Sequence, residues 1–487
     1  MTIKNHILNT LALIRVPASQ ANCHARHDKA PRLHDKAPSR HDKAPRRYAS
    51  SGLIVAGLCL LTLTFPIFAN ASPDLKRSFV LSSGYAERVF NSNEELVRFP
   101  LSVMQLWSLA PDAVNDVFDN SLASRISVGI LEVPFSYWLT YALLVPFHEF
   151  GHARAFAAMD QGYFYTSSGI ANAETSSFWL LSLIRLGTPP ALVPGAGGAA
   201  TVPIGNQFVF SRSLWEWIGG DPGLSAIIAG AGLNNQMLLG KKIAATVQEK
   251  NGHVTYLQHY VINKAYAALY ASADEISIAN GRPREGSDIA ILLDAYAAKG
   301  YNISISDIKL NSLLSLASGT TFSFLRGYYN YFVHGSPVVE PAEVYGVRIP
   351  DINSYINSRG LSLEFVSGYR VAEWLRFDVA YEVVTRGDST NQLTVAGHYD
   401  LAHSAPVLRR LRMSPEIVCE LHGAFGGSLE LEWGPYTQKS SAVLENISAY
   451  VRGALLNGRT LYGERNMPSM INRNVAFDFG FGIAYNY

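Results

Sequence analysis

The last thirteen residues, V-A-F-D-F-G-F-G-I-A-Y-N-Y, place Val475, Phe477, Phe479, Phe481, Ile483, Tyr485 and Tyr487 at every second position. A period of two puts all seven on one face of an extended strand, so this end of the chain belongs to a sheet. The same alternation marks Leu361 to Val371, Leu375 to Val383, Leu393 to Leu401 and Leu429 to Trp433. Between Leu375 and Val383 the apolar residues alternate with Arg376, Asp378, Ala380 and Glu382. Segments of about ten residues with one apolar and one polar face, separated by turn residues, are the pattern of a transmembrane β-barrel. A soluble β-sandwich alternates as well and is the competing architecture.

Before residue 311 the period is helical. Ile126 to Met159, Pro222 to Gly240, Tyr260 to Ile278 and Ile289 to Ala298 read as apolar helices, and Phe178 to Leu186 is a further apolar run. Each is short of about 20 residues or is interrupted by Glu132, Pro134, Pro146, Arg185 or the pair Asn234-Asn235, so none is a clean membrane span. The expected fold class is α+β. A helical unit over residues 72–307 should precede antiparallel strands over 311–487, the latter forming a membrane barrel. With 48% hydrophobic and 16% charged residues, the chain is too apolar for a typical cytosolic enzyme and too polar for a dense helical transporter. A net charge of +1 gives no reason to expect a nucleic-acid partner.

The N-terminus carries H-D-K-A-P three times, from His27, His34 and His41. Basic, Pro-rich and without apolar periodicity, residues 1–50 read as a disordered low-complexity leader. Arg46 and Arg47, the apolar run Leu53 to Phe68 and then Ala69-Asn70-Ala71 make residues 51–71 a secretory signal peptide, with cleavage expected between Ala71 and Ser72. Cys23 and Cys59 fall in these segments, which leaves Cys419 alone in the mature chain. That excludes an intramolecular disulfide framework and a cysteine-based zinc knuckle.

Within the first helical pattern stands F-H-E-F-G-H-A-R-A-F, Phe147 to Phe156. His148 and His152 are four apart, so both imidazoles can reach one cation from one helix face. Glu149, offset by one residue, lies beside them, free to take a proton from water. H-E-x-x-H in this setting predicts zinc-dependent hydrolysis, most often of a peptide bond. Gly151 keeps the helix slim where a second element can approach.

H-E-F-G-H-A-R-A at the end of an apolar helix, followed by Gly230-x-x-x-Asn234, resembles the site-2 protease family of intramembrane zinc metalloproteases. The resemblance covers about a third of the chain, and its first motif is the sharp one. It implies that His148 and His152 bind zinc, that Glu149 is the catalytic base and that Asn234 positions the substrate strand. It also implies a later aspartate ligand in an L-D-G sequence, whose counterpart is Leu293-Asp294-Ala295, with alanine in place of glycine. Three carboxylates compete to be the third ligand. Asp288 follows Gly286-Ser287 at a helix start and can turn toward a metal, although it can equally serve first-turn capping. Asp294 matches the family motif but falls off the apolar stripe of its helix. Glu174, in the polar loop A-N-A-E-T-S-S, ranks third behind these two.

Two readings of function follow. The first is a zinc metallopeptidase of the bacterial cell envelope, acting on a peptide or protein substrate, with membrane lipid and the outer-membrane assembly machinery as partners. Gly482-x-x-Tyr485-x-Tyr487 resembles the signal that this machinery reads on a last barrel strand, and favours the outer membrane over the inner membrane of the site-2 proteases. The second is a non-enzymatic barrel, porin-like or adhesive, whose H-E-x-x-H is structural or vestigial.

Overall fold

The computed structural model describes residues 77–486 except 87–88, 91–92, 159–163, 168–169, 174–197, 202–215, 217, 251, 282–286, 402–410, 421–424, 435–445 and 458–474. Residues 1–76, which include the segments read as leader and signal peptide, lie outside the described residues, as do Glu174, the run Phe178 to Leu186 and Tyr487.

Strands β1 (Ser78–Ala86) and β2 (Val89–Phe90) precede helices α1 (Asn93–Trp107), α2 (Leu109–Val117) and the 37-residue α3 (Leu122–Ala158). Next come β3 (Phe164–Ser167), β4 (Ile170–Ala173) and β5 (Gly198–Thr201), a small sheet in the order β4-β3-β5. Then follow α4 (Gly220–Lys250), β6 (Gly252–His253), α5 (Tyr256–Ala279), α6 (Asp288–Ala298), α7 (Ile305–Leu314) and α8 (Gly319–His334). The two-residue strands β7 (Val338–Val339), β8 (Glu343–Val344) and β9 (Val347–Arg348) lead into the long ones. These are β10 (Asp351–Asn357), β11 (Gly360–Ala372), β12 (Leu375–Gly387), β13 (Asn391–Asp400), β14 (Leu411–Glu420), β15 (Phe425–Trp433), β16 (Ile447–Asn457) and β17 (Val475–Asn486). The class is α+β, with one large antiparallel sheet.

That sheet runs β2-β1-β17-β16-β15-β14-β13-β12-β11-β9-β8, with β10 also paired to β11. The division expected near residue 311 is corrected at both ends. Helix continues through α7 and α8 to His334, and β1, which precedes every helix, pairs with β17 from Ser78–Asn486 to Ala86–Asp478. The helical unit is therefore an insertion between the first strand and the rest of the sheet.

The polarity of the sheet is the reverse of a soluble sandwich. Phe377, Val379, Tyr381, Leu455, Phe481 and Ile483 are exposed, whereas Glu364, Glu382, Gln392, Thr394, Ser448 and Arg452 are buried. The buried face looks toward the helices. Lys241 of α4 pairs with Glu364 at 2.9 Å, and Arg98 of α1 reaches Glu430 at 2.6 Å while lying 4.0 Å over the Tyr450 ring.

Strand pairing does not close this sheet into a barrel, because helices occupy both of its edges. On β1, the backbone N–H of Ser78 donates to Gln105 (2.8 Å) and that of Val80 to Ser102 (2.9 Å), both on α1. On β10, Ile352 N–H donates to Ser318 (2.8 Å), and its carbonyl accepts from the Lys264 ammonium (2.6 Å). Four residues on, Ile356 donates to and accepts from the one side-chain amide of Asn234 at 2.9 and 2.7 Å. Side chains thus satisfy edge groups that a neighbouring strand would otherwise pair. Since α1 packs along β1, α4 along β10, and α1 on α4, the helical unit bridges the two ends of the open path.

Two apolar clusters hold this unit. One gathers Phe147, Phe150, Ile243, Val247, Tyr260 and Phe324, and the other Leu233, Tyr270, Leu292, Tyr296, Ile356 and Leu361.

Candidate metal centre

Three elements converge between those clusters. Helix α3 brings His148, Glu149 and His152, all buried, and α4 crosses it at a close approach made possible by small residues. A Cβ on Gly151 would lie 2.6 Å from the Ala231 carbonyl oxygen, so a larger residue there would push the helices apart. A Cβ on Gly232 would lie 2.6 Å from Nε2 of both His148 and His152. The backbone of α4 therefore forms one wall of the site. Asn235 fastens the crossing by donating to the Phe147 carbonyl at 3.1 Å.

The third element is the start of α6. Its N-cap is Ser287, whose hydroxyl accepts from Ala290 N–H at 3.1 Å and donates to Asp274 at 2.5 Å. Ser287 does the capping, which leaves the neighbouring Asp288 carboxylate to face the histidines. Asp288 Oδ2 is 3.0 Å from His148 Nε2 and 3.4 Å from His152 Nε2, and the two Nε2 atoms are 3.1 Å apart.

A tetrahedral zinc ion with bonds of about 2.0–2.2 Å sets its ligand atoms roughly 3.3–3.6 Å apart, so the observed triangle is within a few tenths of an ångström of that size. The donor chemistry agrees. His152 Nδ1 sits 2.7 Å from the Ile228 carbonyl, which can only accept, so a neutral ring keeps its proton on Nδ1 and turns the Nε2 lone pair inward. Burial would raise the Asp288 carboxyl and lower the His152 imidazole, but their attraction holds Asp288 well below the usual carboxylate range and lifts His152 to about 9, so a bound metal would displace the proton from His152 Nε2. Two imidazoles and an ionised carboxylate are a fitting ligand set for a borderline cation. Glu149 lies within electrostatic reach of all three residues.

The other sequence candidates fall elsewhere. Asp294 is exposed on α6, outside the group; six residues beyond Asp288, it lies well round the helix from it. Asn234 is buried, but its amide is committed to β10, and Gly230 on the same side of α4 accommodates Ile356, whose Cγ2 would be 2.9 Å from a Cβ. Gly230 and Asn234 lie about half a turn of helix away from Gly232, so the Gly-x-x-x-Asn element positions a strand of this chain rather than facing the metal site. Sequence reasoning missed Gly232, Asn235 and two tyrosines of α5. The Tyr266 and Tyr270 rings lie 5.8 and 6.0 Å from the His148 ring, the latter stacked on it. The signal for the first two was the run G-A-G-L-N-N, Gly230 to Asn235.

A second cluster with ligand-like spacing, Glu249, Asp378 and His398, already has its cation: Arg376 pairs with Glu249 at 2.7 Å and with Asp378 at 2.9 Å.

Among known proteins, no family model, no curated protein and no solved structure matches this chain.

Proposed function

We propose that the protein is a zinc-dependent peptide hydrolase of the bacterial cell envelope, held in a barrel-like membrane wall that its own helices complete, with the outer membrane favoured. The observation that carries the catalytic part is the convergence of His148 Nε2, His152 Nε2 and Asp288 Oδ2 to within 3.0–3.4 Å of one another. These residues would hold the metal. When bound, zinc supplies a Lewis acid that polarises a carbonyl and acidifies water.

The chain's own residues supply the rest. The Glu149 carboxylate takes the proton from the attacking water and returns it to the leaving amine. The Ile228 carbonyl fixes the His152 ring. Strand β5 packs against α3 and, among the described residues, is paired on one edge only, to β3. An extended peptide can add to its other edge. The envelope part of the reading is supported by the outward apolar face of the sheet, which suits lipid and leaves polar groups inside.

The test is proteolysis of an unfolded protein such as casein by full-length chain purified in detergent. The Glu149→Gln variant should keep its metal and lose activity, because the amide cannot accept the proton. Cleavage by that variant at the wild-type rate would show Glu149 to be structural.

A further inference from the structure

The open sheet poses a question about its gap. If the outer face of the strands meets lipid, whatever fills the gap must present the same polarity. Helix α3 does so. Arg125 and Glu132 are its two charged residues between Leu122 and Phe147, and both are turned inward. Arg125 donates to the Tyr331 carbonyl at 2.9 Å, and Glu132 accepts from Gln258 at 2.9 Å and from Ser136. Thr140 is likewise buried, against His259. The outward positions include Leu122, Ile126, Ile130, Leu131, Val133 and Phe135, and Ser127 is the one exposed polar side chain among them. Leu131 is 70% exposed and its neighbour Glu132 only 4%, the reverse of a helix that faces water.

Both ends of this stretch are marked. Before it, Asp116 and Asp119 are exposed around the turn from α2 to α3. After it stands an aromatic layer, with Phe135 stacked on Trp107 (ring centroids 3.7 Å apart) and Trp138 against Phe135 at 5.3 Å. Aromatic side chains of this kind collect at membrane interfaces. Leu122 to Phe135 spans about 20 Å of helix, close to the apolar band of about 25 Å on outer-membrane barrels. Among the described residues α3 is also the one helix long and apolar enough to cross a membrane.

We propose that lipid hydrocarbon covers the outward face of α3 from Leu122 to Phe135, so that this helix stands in the membrane against α4, one of the helices that bridge the open sheet. His148 then follows about 20 Å further along the same helix, beyond the aromatic layer and on its aqueous side. The metal-binding helix would thus be anchored in lipid at one end and carry its chemistry outside the hydrocarbon. This inference rests on the membrane reading above and is independent of zinc.

The experiment uses full-length chain in a Cys23→Ser/Cys59→Ser/Cys419→Ser background, with nitroxide labels at Ile130→Cys, Phe481→Cys and Asp116→Cys, each in a separate protein, reconstituted in phosphatidylcholine–phosphatidylglycerol vesicles. Heat-modifiable migration on gels selects the folded labelled proteins. Power saturation then compares relaxation by oxygen, which concentrates in lipid, with relaxation by chromium oxalate, which stays in water. Labels at Ile130 and Phe481 should be relaxed severalfold more by oxygen, and the label at Asp116 more by chromium oxalate. Oxygen dominance at Phe481 with chromium oxalate dominance at Ile130 overturns this inference and leaves the membrane sheet standing. Aqueous exposure at both overturns the membrane reading itself. An Ile130 label shielded from both reagents means that protein, not lipid, covers α3, and also overturns the inference.

Discussion

The two ends of α3 bury polar side chains for opposite reasons. In the first half, Arg125, Glu132, Ser136 and Thr140 turn inward, and each finds a partner on α5, α8 or α3 itself. In the second half, His148 and His152 meet Asp288 with their ring nitrogens and a carboxylate oxygen facing one another at 3.0–3.4 Å. In the first set each inward group meets its own neighbouring partner, which lets a helix be apolar outside. The second is convergent, and a cation is what three facing lone-pair donors can share. Burial of polar groups on one helix therefore does not by itself mark a functional site; the direction of their lone pairs does.

The sharpest way to break this comparison is to remove a carboxylate from each half. Asp288→Ala should weaken zinc binding by more than about 100-fold, beyond the 10–100-fold that follows loss of an orienting partner. Glu132→Gln and the exposed Asp294→Ala should leave it unchanged. Competition with a chromophoric chelator measures all three. Equal affinity in Asp288→Ala and wild type would remove Asp288 from the centre.

A smaller effect tests the wall of the site without touching a ligand. Gly232→Ala places a methyl 2.6 Å from both Nε2 atoms, so α4 must shift away from α3. Zinc affinity should fall by about 10-fold or more, within the range seen when a metal's surroundings are disturbed. At Gly453, where a Cβ meets nothing within 4 Å, the same change should be silent. The two variants can be read side by side by isothermal titration.

The smallest expected effect separates the two sides of α4. Asn234→Ala leaves the Ile356 N–H and carbonyl without their partner and should cost about 1–3 kcal/mol in urea unfolding. Zinc content should stay at the wild-type level, since Asn234 faces β10. Loss of zinc in that variant would show that Asn234 also supports the metal centre.

How much of this was legible in the sequence follows from where orientation is encoded. The spacing of His148, Glu149 and His152 fixes a face by helical period alone, and Gly286-Ser287 announced the helix start that presents Asp288. Alternation located β11, β12, β13, β15 and β17, though not β14 or β16, because a half-buried strand has a side to declare. Helix α4 declares none. Leu233 and Leu238 are buried along with Asn234, Asn235 and Gln236, so nothing in the sequence says which side meets α3 and which meets β10. The Gly-x-x-x-Asn element implies, through the resemblance, the positioning of a substrate strand, whereas it holds β10. Strand β1, S-F-V-L-S-S-G-Y-A, is short and mixed in character, and its partner lies at the far end of the chain. Helix α8 is rich in threonine, phenylalanine and tyrosine, residues that suit strands, and its helical state is set by packing against α3 and β7.

The central claim is that His148, His152 and Asp288 form one metal centre. Its most direct test is elemental analysis of full-length protein purified without chelator, comparing wild type with the double variant His148→Ala/His152→Ala, both confirmed folded by circular dichroism. The expected result is about one zinc per chain in the wild type and none in the double variant. Equal metal in the two proteins, or none in either after zinc is supplied, would contradict it.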